Sequence, residues 1–416
     1  MKSIREIPLH GRTVFLRVDF NVPLDKNGNI TEDTRIKAAL PTIEYILQKG
    51  GKIVLASHLG RPKNQVKPEL RLGGPAKRLQ ELLGQKIYYV PDCIGEVVEK
   101  TKAGLKNGEI MLLDNLRFYK AEKENDLHFA EQLAQNIDVY INDAFGVIHR
   151  QHASVNALPS LIFDKGIGFL MEKEMEALDK IIKNPAKPLV VVIGGVKISD
   201  KVEIINNLAP MADIILVGGG VANTFLKGLG QEVGASIVES DSVSKKQEKT
   251  NYLEVAAGIF KRFQTERVEL DVILPNQEPL HKIQLPLDFV AATDTKEGTA
   301  TKIIELGKDR VAPDLMFLDI GPKTIKLYQE VLTRAQTIFW NGPMGLFEMP
   351  VYAQGSKSVA ESIAETAGYT VLGGGDTEVV VDKFDLKGRF SHVSTGGGAS
   401  LAYLAQKELP GLSALE

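Results

Sequence analysis

Short apolar, β-branched runs recur along the chain. The first four are TVFLRV at Thr13, KIVLAS at Lys52, EIMLL at Glu109 and DVYIN at Asp138. They are followed by LVVVI at Leu189, DIILV at Asp213, LMFLD at Leu315, TIFW at Thr337 and YTVL at Tyr369. Each reads as a strand. Between many of them apolar residues return at helical spacing, as in Thr34–Gln48, Ile198–Leu208 and Thr324–Leu332. Strand alternating with helix predicts an α/β fold of parallel sheets with helices on both faces.

The segments after the strands differ between the halves. Before residue 160 the strands run into charged and polar residues: Asp19 with Asn21, then SHLGR, DNLRF, and NDAFG leading to HRQH. After residue 187 they run into glycine: GGVK, GGGVAN, DIGPK, WNGPMG, GGGDT and STGGG. Ligands of open parallel sheets sit at the carboxyl ends of the strands. The first half, residues 1–170, therefore suits a compact anion, and the second, from residue 185, suits a polyphosphate. Between them Met171, Met175, Leu178 and Ile182 form one apolar helical stripe ended by Asn184 and Pro185, which predicts a connecting helix over 171–184. The polar stretch Glu239–Tyr252 shows neither apolar period and reads as a surface excursion.

Composition narrows the class of function. A chain of 416 residues, 44% hydrophobic and 25% charged, is an ordinary globular protein of two or three domains. Its 50 Lys and Arg against 53 Asp and Glu leave a net charge of −3, so no global basic field argues for nucleic acid or an anionic membrane. The single cysteine, Cys93, excludes an internal disulfide and a cysteine-based zinc site, suits a reducing compartment, and reads as a structural thiol. The opening MKSIREIPLHGR has no apolar signal core, and no run of about 18 apolar residues occurs, so a cytoplasmic protein is expected.

Local clusters must then supply any anion affinity. Arg17, Arg35, Arg61, Arg117 and Arg150 fall at strand ends or in the loops beyond, together with His58, His149 and His152. Arginine offers a planar fork that matches carboxylate and phosphate oxygens. Any one of these alone reads as a solvated surface residue; five so placed read as a site for a small, multiply charged substrate. Asp19 and Asn21 serve either as acceptors for a substrate hydroxyl or as turn residues after the strand. His149 and His152 lack a third ligand at suitable spacing, which argues against a metal there.

In the second half, glycines after strands let backbone N–H groups approach phosphate, and a following helix N-terminus adds its dipole. In GGVKISDK, Lys197 and Lys201 stand four apart and are expected near the first turn of a helix, on one face. Asp376, after Gly373–Gly375 and before Thr377, is placed either to hold Mg²⁺ or to cap a helix. Neither G-x-x-x-x-G-K-[ST] nor G-x-G-x-x-G occurs, and the protein kinase signatures are absent too.

These segments, in this order, resemble the phosphoglycerate kinase family from end to end. RVDFNVP, DTRI, SHLGRP, LRF and NDAFG…HRQH are similar to its acid-substrate half; GGVKISDK, GGGVANTF, LPLD, DIGPKT, WNGPMGLFE, GGGDT and STGGGAS are similar to its nucleotide half. The resemblance implies two Rossmann-like domains with a cleft between them, joined by the 171–184 helix. The nucleotide domain would span 185–399, and ELPGLSAL would belong to a segment, 400–416, that returns to the N-terminal domain. It also implies Mg²⁺-dependent phosphoryl transfer between 1,3-bisphosphoglycerate and ADP by a monomer. Asp19, Asn21, Arg35, His58, Arg61, Arg117 and Arg150 would bind 3-phosphoglycerate. Arg35, Lys197 and Lys201 would act on the phosphoryl group. Gly195, Gly219, Gly220, Asn341, Gly342, Gly374, Gly375 and Thr377 would line the nucleotide, Glu348 would take the ribose, and Asp376 would serve Mg²⁺. Departures from the family pattern are Val147, Ile148, Val196, Ala402 and a lengthening over Pro275–Gln284.

Overall fold

The computed structural model describes residues 1–243, 249–266, 268, 270 and 279–416. All nine apolar runs form strands within them. The chain divides into two compact units: residues Met1–Glu176 with Lys407–Glu416, and residues Ala177–Gln406.

The first unit is built on a seven-stranded, wholly parallel sheet. Across the sheet the order is Lys2–Ser3, Asp164–Ile167, Val139–Asp143, Thr13–Val18, Lys52–Ala56, Ile110–Leu112 and Ile87–Tyr89. Every residue of Thr13–Val18 is buried, as a strand covered on both faces requires. Val14, Leu16 and Val18 pack with Ile36, Ala39, Ile43 and Ile46 of the helix Thr34–Gln48, whose apolar stripe has the matching period. From Thr13–Val18 the chain moves to Lys52–Ala56 on one side, while Val139–Asp143 lies on the other. The strand order reverses there, so a crevice opens at the carboxyl ends of those strands.

The second unit holds a six-stranded parallel sheet with the order Ile283–Gln284, Ile214–Val217, Leu189–Ile193, Thr337–Asn341, Tyr369–Leu372 and His392–Val393. Its reversal falls between Leu189–Ile193 and Thr337–Asn341. Val190, Val192, Leu216 and Trp340 pack with Leu327, Val331 and Leu332 of the helix Pro322–Leu332. The buried Tyr328 on that helix donates its hydroxyl to the carbonyl oxygen of Val217 (2.7 Å) or Gln284 (3.0 Å), so the core holds it without an unpaired polar group.

Four expectations change. The run at Leu315 forms the strand Met316–Ile320, which pairs antiparallel with Asp288–Ala292 in a separate three-stranded sheet completed by Lys302–Glu305. The connection from Asp288–Ala292 to Lys302–Glu305 carries no helix, and strands joined without a crossover pair antiparallel. The helix expected from Ile198 begins only at Val202. The stripe at Met171 belongs to a helix, Phe169–Ile182, and the two units divide inside it, after Glu176. Residues 400–406 stay with the second unit, because Asn207 Nδ2 donates to the Leu404 carbonyl and the Tyr403 hydroxyl donates to Asp179 Oδ1 (2.8 Å). The return to the first unit starts at Lys407.

The polar excursion at 239–252 contains an antiparallel strand pair, Asp241–Val243 with Lys249–Asn251, and residues 244–248 of it lie outside the described residues. Of the lengthening at Pro275–Gln284, residues 275–278 lie outside them too, while Ile283–Gln284 forms the edge strand of the parallel sheet. Cys93 is buried, with its Sγ 3.1 Å from the Asp114 carbonyl oxygen, and burial raises its pKa, as a structural thiol requires. Among the described residues no helix is long and apolar enough to cross a membrane.

Candidate functional sites at the two sheet reversals

In the first unit the crevice is lined by cations. Arg17, at the end of its strand, is completely buried; its Nε donates to Ser154 Oγ (3.0 Å) and its Nη2 lies 3.2 Å from His58 Nδ1. Asp19 pairs with Arg35, the second residue of the helix Thr34–Gln48, and lies 3.8 Å from His58 Nδ1. Asn21 accepts at Oδ1 from the Gly60 amide (2.8 Å), which draws the SHLGR loop onto the strand end. Arg117 donates to the Gly60 carbonyl (2.9 Å), while its other terminal nitrogen is buried with no partner among the described residues. Arg150 Nε donates to His149 Nε2 (3.2 Å). Arg61 is exposed, and its charge acts on Arg150.

The electrostatics follow from that crowding. Burial, then Arg150 and Arg17, pull the pKa of Arg117 down, and burial lowers that of Arg150. His58 falls well below its ordinary value through burial and then Arg17, Arg117, Arg150 and Arg35. Burial and then Arg150 and Arg117 bring His149 to about 4; His152 falls to about 3 through burial first, then Arg117 and Arg17. Burial is the largest cause of each shift, and the positive charge of neighbouring arginines adds to it. A crevice so crowded with cations suits a multiply charged anion.

Arg17, expected as one arginine of the site, forms its buried floor, and one further member of the network is not evident from the sequence as a site residue. Glu122, in the highly charged stretch KAEKEND, is fully buried and accepts from both the amide (2.9 Å) and the hydroxyl (2.7 Å) of Ser154. It thereby anchors the segment after HRQH. Asp126 in the same stretch looks the same in sequence and is an ordinary helix cap.

In the second unit the strand-end loops meet backbone to backbone. A Cβ on Gly194 would lie 2.1 Å from the Pro343 carbonyl oxygen, one on Gly219 2.7 Å from that of Gly195, and one on Gly342 2.4 Å from that of Gly194. Gly195, Gly219 and Gly342 also have positive φ, so the last two are closed to larger residues on two counts. Asn341 accepts at Oδ1 from Lys201 Nζ and donates through Nδ2 to the Gly373 carbonyl. Thr377 accepts from the Gly342 amide (2.7 Å) and donates to the Gly373 carbonyl (2.9 Å). Three strand ends are thus held in one piece.

They enclose a cavity of about 350 Å³. Gly195, Val196, Gly219 and Gly220 form one wall, Met316, Phe317 and Leu318 another, and Glu348 and Asp376 stand at the edge. The N-terminus of the helix Gly219–Gly228 opens into the same wall, so its free amides favour an anion. Gly374, with φ 93°, occupies the N-cap of the helix Gly375–Lys383, so Asp376 sits in the first turn and is not the cap. Lys197 and Lys201 lie in the turn ahead of the helix Val202–Leu208 and not on its first turn. Buried Ile198 accounts for this, since its carbonyl receives the amides of Lys201 (2.7 Å) and Val202 (2.9 Å). Lys197 is exposed, whereas Lys201 is partly buried, and burial lowers its pKa.

A family model described as phosphoglycerate kinase matches residues 4–407. The chain belongs to the phosphoglycerate kinase family. It is 45% identical over 416 residues to the phosphoglycerate kinase of Borrelia turicatae, covering 100% of this chain and 99% of that one. With the phosphoglycerate kinase of Moorella thermoacetica it shares 44% over 415 residues, 99% of this chain and 98% of the other. Among solved structures, phosphoglycerate kinase from Coxiella burnetii superposes with a TM-score of 0.85 at 34% identity, over 100% of this chain and 98% of that one. The enzyme from Pyrococcus horikoshii gives 0.81 at 33%, with the same coverage. Phosphoglycerate kinases are phosphotransferases with a carboxyl group as acceptor, and their reaction is the glycolytic transfer between 1,3-bisphosphoglycerate and ADP.

Proposed function

We propose that the chain performs this transfer with the acid bound in the first unit and the nucleotide in the second. The observation that carries the reading is the pairing of two unlike anion sites, each at a sheet reversal: a crowded arginine crevice and a glycine-walled cavity. Arg17, Arg35, Arg61, Arg117 and Arg150 neutralise the phosphate and carboxylate of 3-phosphoglycerate, with Asp19 and Asn21 oriented toward its hydroxyl and His58 neutral between them. Gly195, Gly219, Gly220, Asn341, Gly342, Gly374, Gly375 and Thr377 shape the nucleotide site, and Glu348 receives the ribose.

A terminal oxygen of ADP attacks the acyl phosphorus, and a carboxylate leaves. The attacking oxygen is already ionised and the leaving oxygen departs with the electrons of the broken P–O bond as a carboxylate, so no proton has to be removed or supplied. The residues' work is to align the two oxygens and to hold negative charge as it spreads over the transferring group. Lys197, Lys201 and Arg35 carry that charge in this reading. Asp376 suits a nucleotide-borne Mg²⁺: it is exposed at the cavity edge, and no hydrogen bond or ion pair engages its carboxylate among the described residues. A lone carboxylate is what such an ion takes from protein when phosphates and waters fill its other positions. The ion, when bound, neutralises phosphate charge. The two units approach each other during turnover, the chain works as a monomer, and it resides in the cytoplasm.

A coupled assay with 3-phosphoglycerate, ATP and Mg²⁺ tests the reading. Saturable ADP formation is expected. Turnover only on a different phosphorylated acid would move the chemistry to another substrate, and none on any acid would leave a nucleotide-binding module.

A further inference from the structure

We propose that Asn223 reads the nucleobase, its side-chain amide oxygen accepting from the 6-amino group of a purine, so that the chain prefers 6-amino over 6-oxo purine nucleotides. The inference rests on the proposal that the cavity of the second unit holds the nucleotide.

Asn223 lies one helical turn beyond Gly219 on the helix Gly219–Gly228, lines the cavity and is only 3% exposed. Its Nδ2 donates to the Ile237 carbonyl (3.3 Å), and its Oδ1 is buried with no donor among the described residues. An unpaired buried amide oxygen is uncommon in a folded protein and marks a place where a donor is due.

The surroundings say what kind of donor. Ile237, Met316, Phe317 and Leu318 present apolar surface, and the Phe317 ring is held parallel to Phe289 at 4.3 Å between centroids. Such walls accept the flat face of a base without reading its edge. Thr295, the other uncharged polar side chain lining the cavity, has a hydroxyl that both donates and accepts, so it does not discriminate. The amide of Asn223 does discriminate, because its orientation is set: the Ile237 carbonyl can only accept, and a flipped amide would place two oxygens together. Oδ1 is therefore the end left for the ligand. A 6-amino group satisfies it, a hydrogen at that position leaves it unpaired, and a 6-oxo group opposes it with a second acceptor.

Calorimetric titration of the full chain with ADP, the 6-unsubstituted purine riboside diphosphate and IDP, all with Mg²⁺, tests this directly. The expected order of affinity is ADP, then the 6-unsubstituted analogue, then IDP, with ADP about ten-fold or more above IDP. Asn223→Leu should bring that ratio to within about three-fold by removing the acceptor. Wild-type affinities for ADP and IDP within about two-fold of each other would overturn the proposal without any variant. A ratio unchanged in a folded Asn223→Leu protein would do the same. Because binding needs no turnover, an intact order in a chain inactive on 3-phosphoglycerate would sink the proposed reaction alone. Turnover with equal ADP and IDP affinities would sink the base reading alone.

Discussion

Lys201 donates through Nζ to Oδ1 of Asn341, a residue 140 positions away, and so fastens the turn after Leu189–Ile193 to the end of Thr337–Asn341. The bond crosses the reversal of the sheet. It holds a partly buried ammonium group in place before any ligand arrives, leaving two of its three N–H donors for phosphate. Lys197, exposed in the same turn, has no such restraint among the described residues. In the proposed reaction the two lysines would divide the work between a held and an unheld charge.

Lys197→Ala should lower kcat by about 100-fold, the scale of a lost transition-state donor, while the KM for 3-phosphoglycerate moves less than about three-fold. Steady-state kinetics of the purified variant supply both numbers. An unchanged kcat with a raised KM would assign Lys197 to ground-state binding.

Legibility in the sequence tracked how local each cause is. Strands buried on both faces announce themselves as unbroken apolar runs, which is why LVVVI and TVFLRV are readable without a structure. Met316–Ile320 reads equally well as a strand, but nothing within it names its partner, and it joined an antiparallel sheet. The positions of Lys197 and Lys201 depended on buried Ile198 ending the turn late, a tertiary effect. Burial of Arg17 and Glu122 was invisible because each is the other's condition: Ser154 links them from 32 residues beyond Glu122. Asn223 was in plain view inside GGGVAN, and only its burial and its unpaired oxygen distinguish it from a helix surface residue.

The histidines of the arginine crevice should make the protein sensitive to mild acid. In the folded chain His152 titrates near about 3 and His149 near about 4, both below the value of about 6.5 expected when unfolded. Between those values the unfolded state binds more protons, so their contribution is complete above pH of about 6.5 and is lost as pH falls toward the folded pKa. His152→Gln should flatten the decline of unfolding free energy from pH of about 6.5 to about 4. Denaturant melts across that range decide it, and parallel slopes for the two proteins would refute the role.

Because the proposed ligands bind separate units, the phosphoryl group has to pass from one to the other, shielded from water that would hydrolyse the acyl phosphate. We propose a hinge at the helix Phe169–Ile182 and the second crossing near Gln406–Lys407, where the chain passes between units. Small-angle scattering should give a smaller radius of gyration with both 3-phosphoglycerate and ATP bound than with either alone. An unchanged radius with both sites filled would leave the hinge without support.

The division of the two ligands between the two units is tested most directly by titrating 3-phosphoglycerate and ADP separately into wild type, Arg35→Ala and Arg150→Ala. Each arginine variant should lose about ten-fold or more in affinity for the acid, the scale of a charge-assisted hydrogen bond removed from a crowded anion site, with ADP binding within about two-fold of wild type. A comparable loss of ADP affinity in either variant would contradict it.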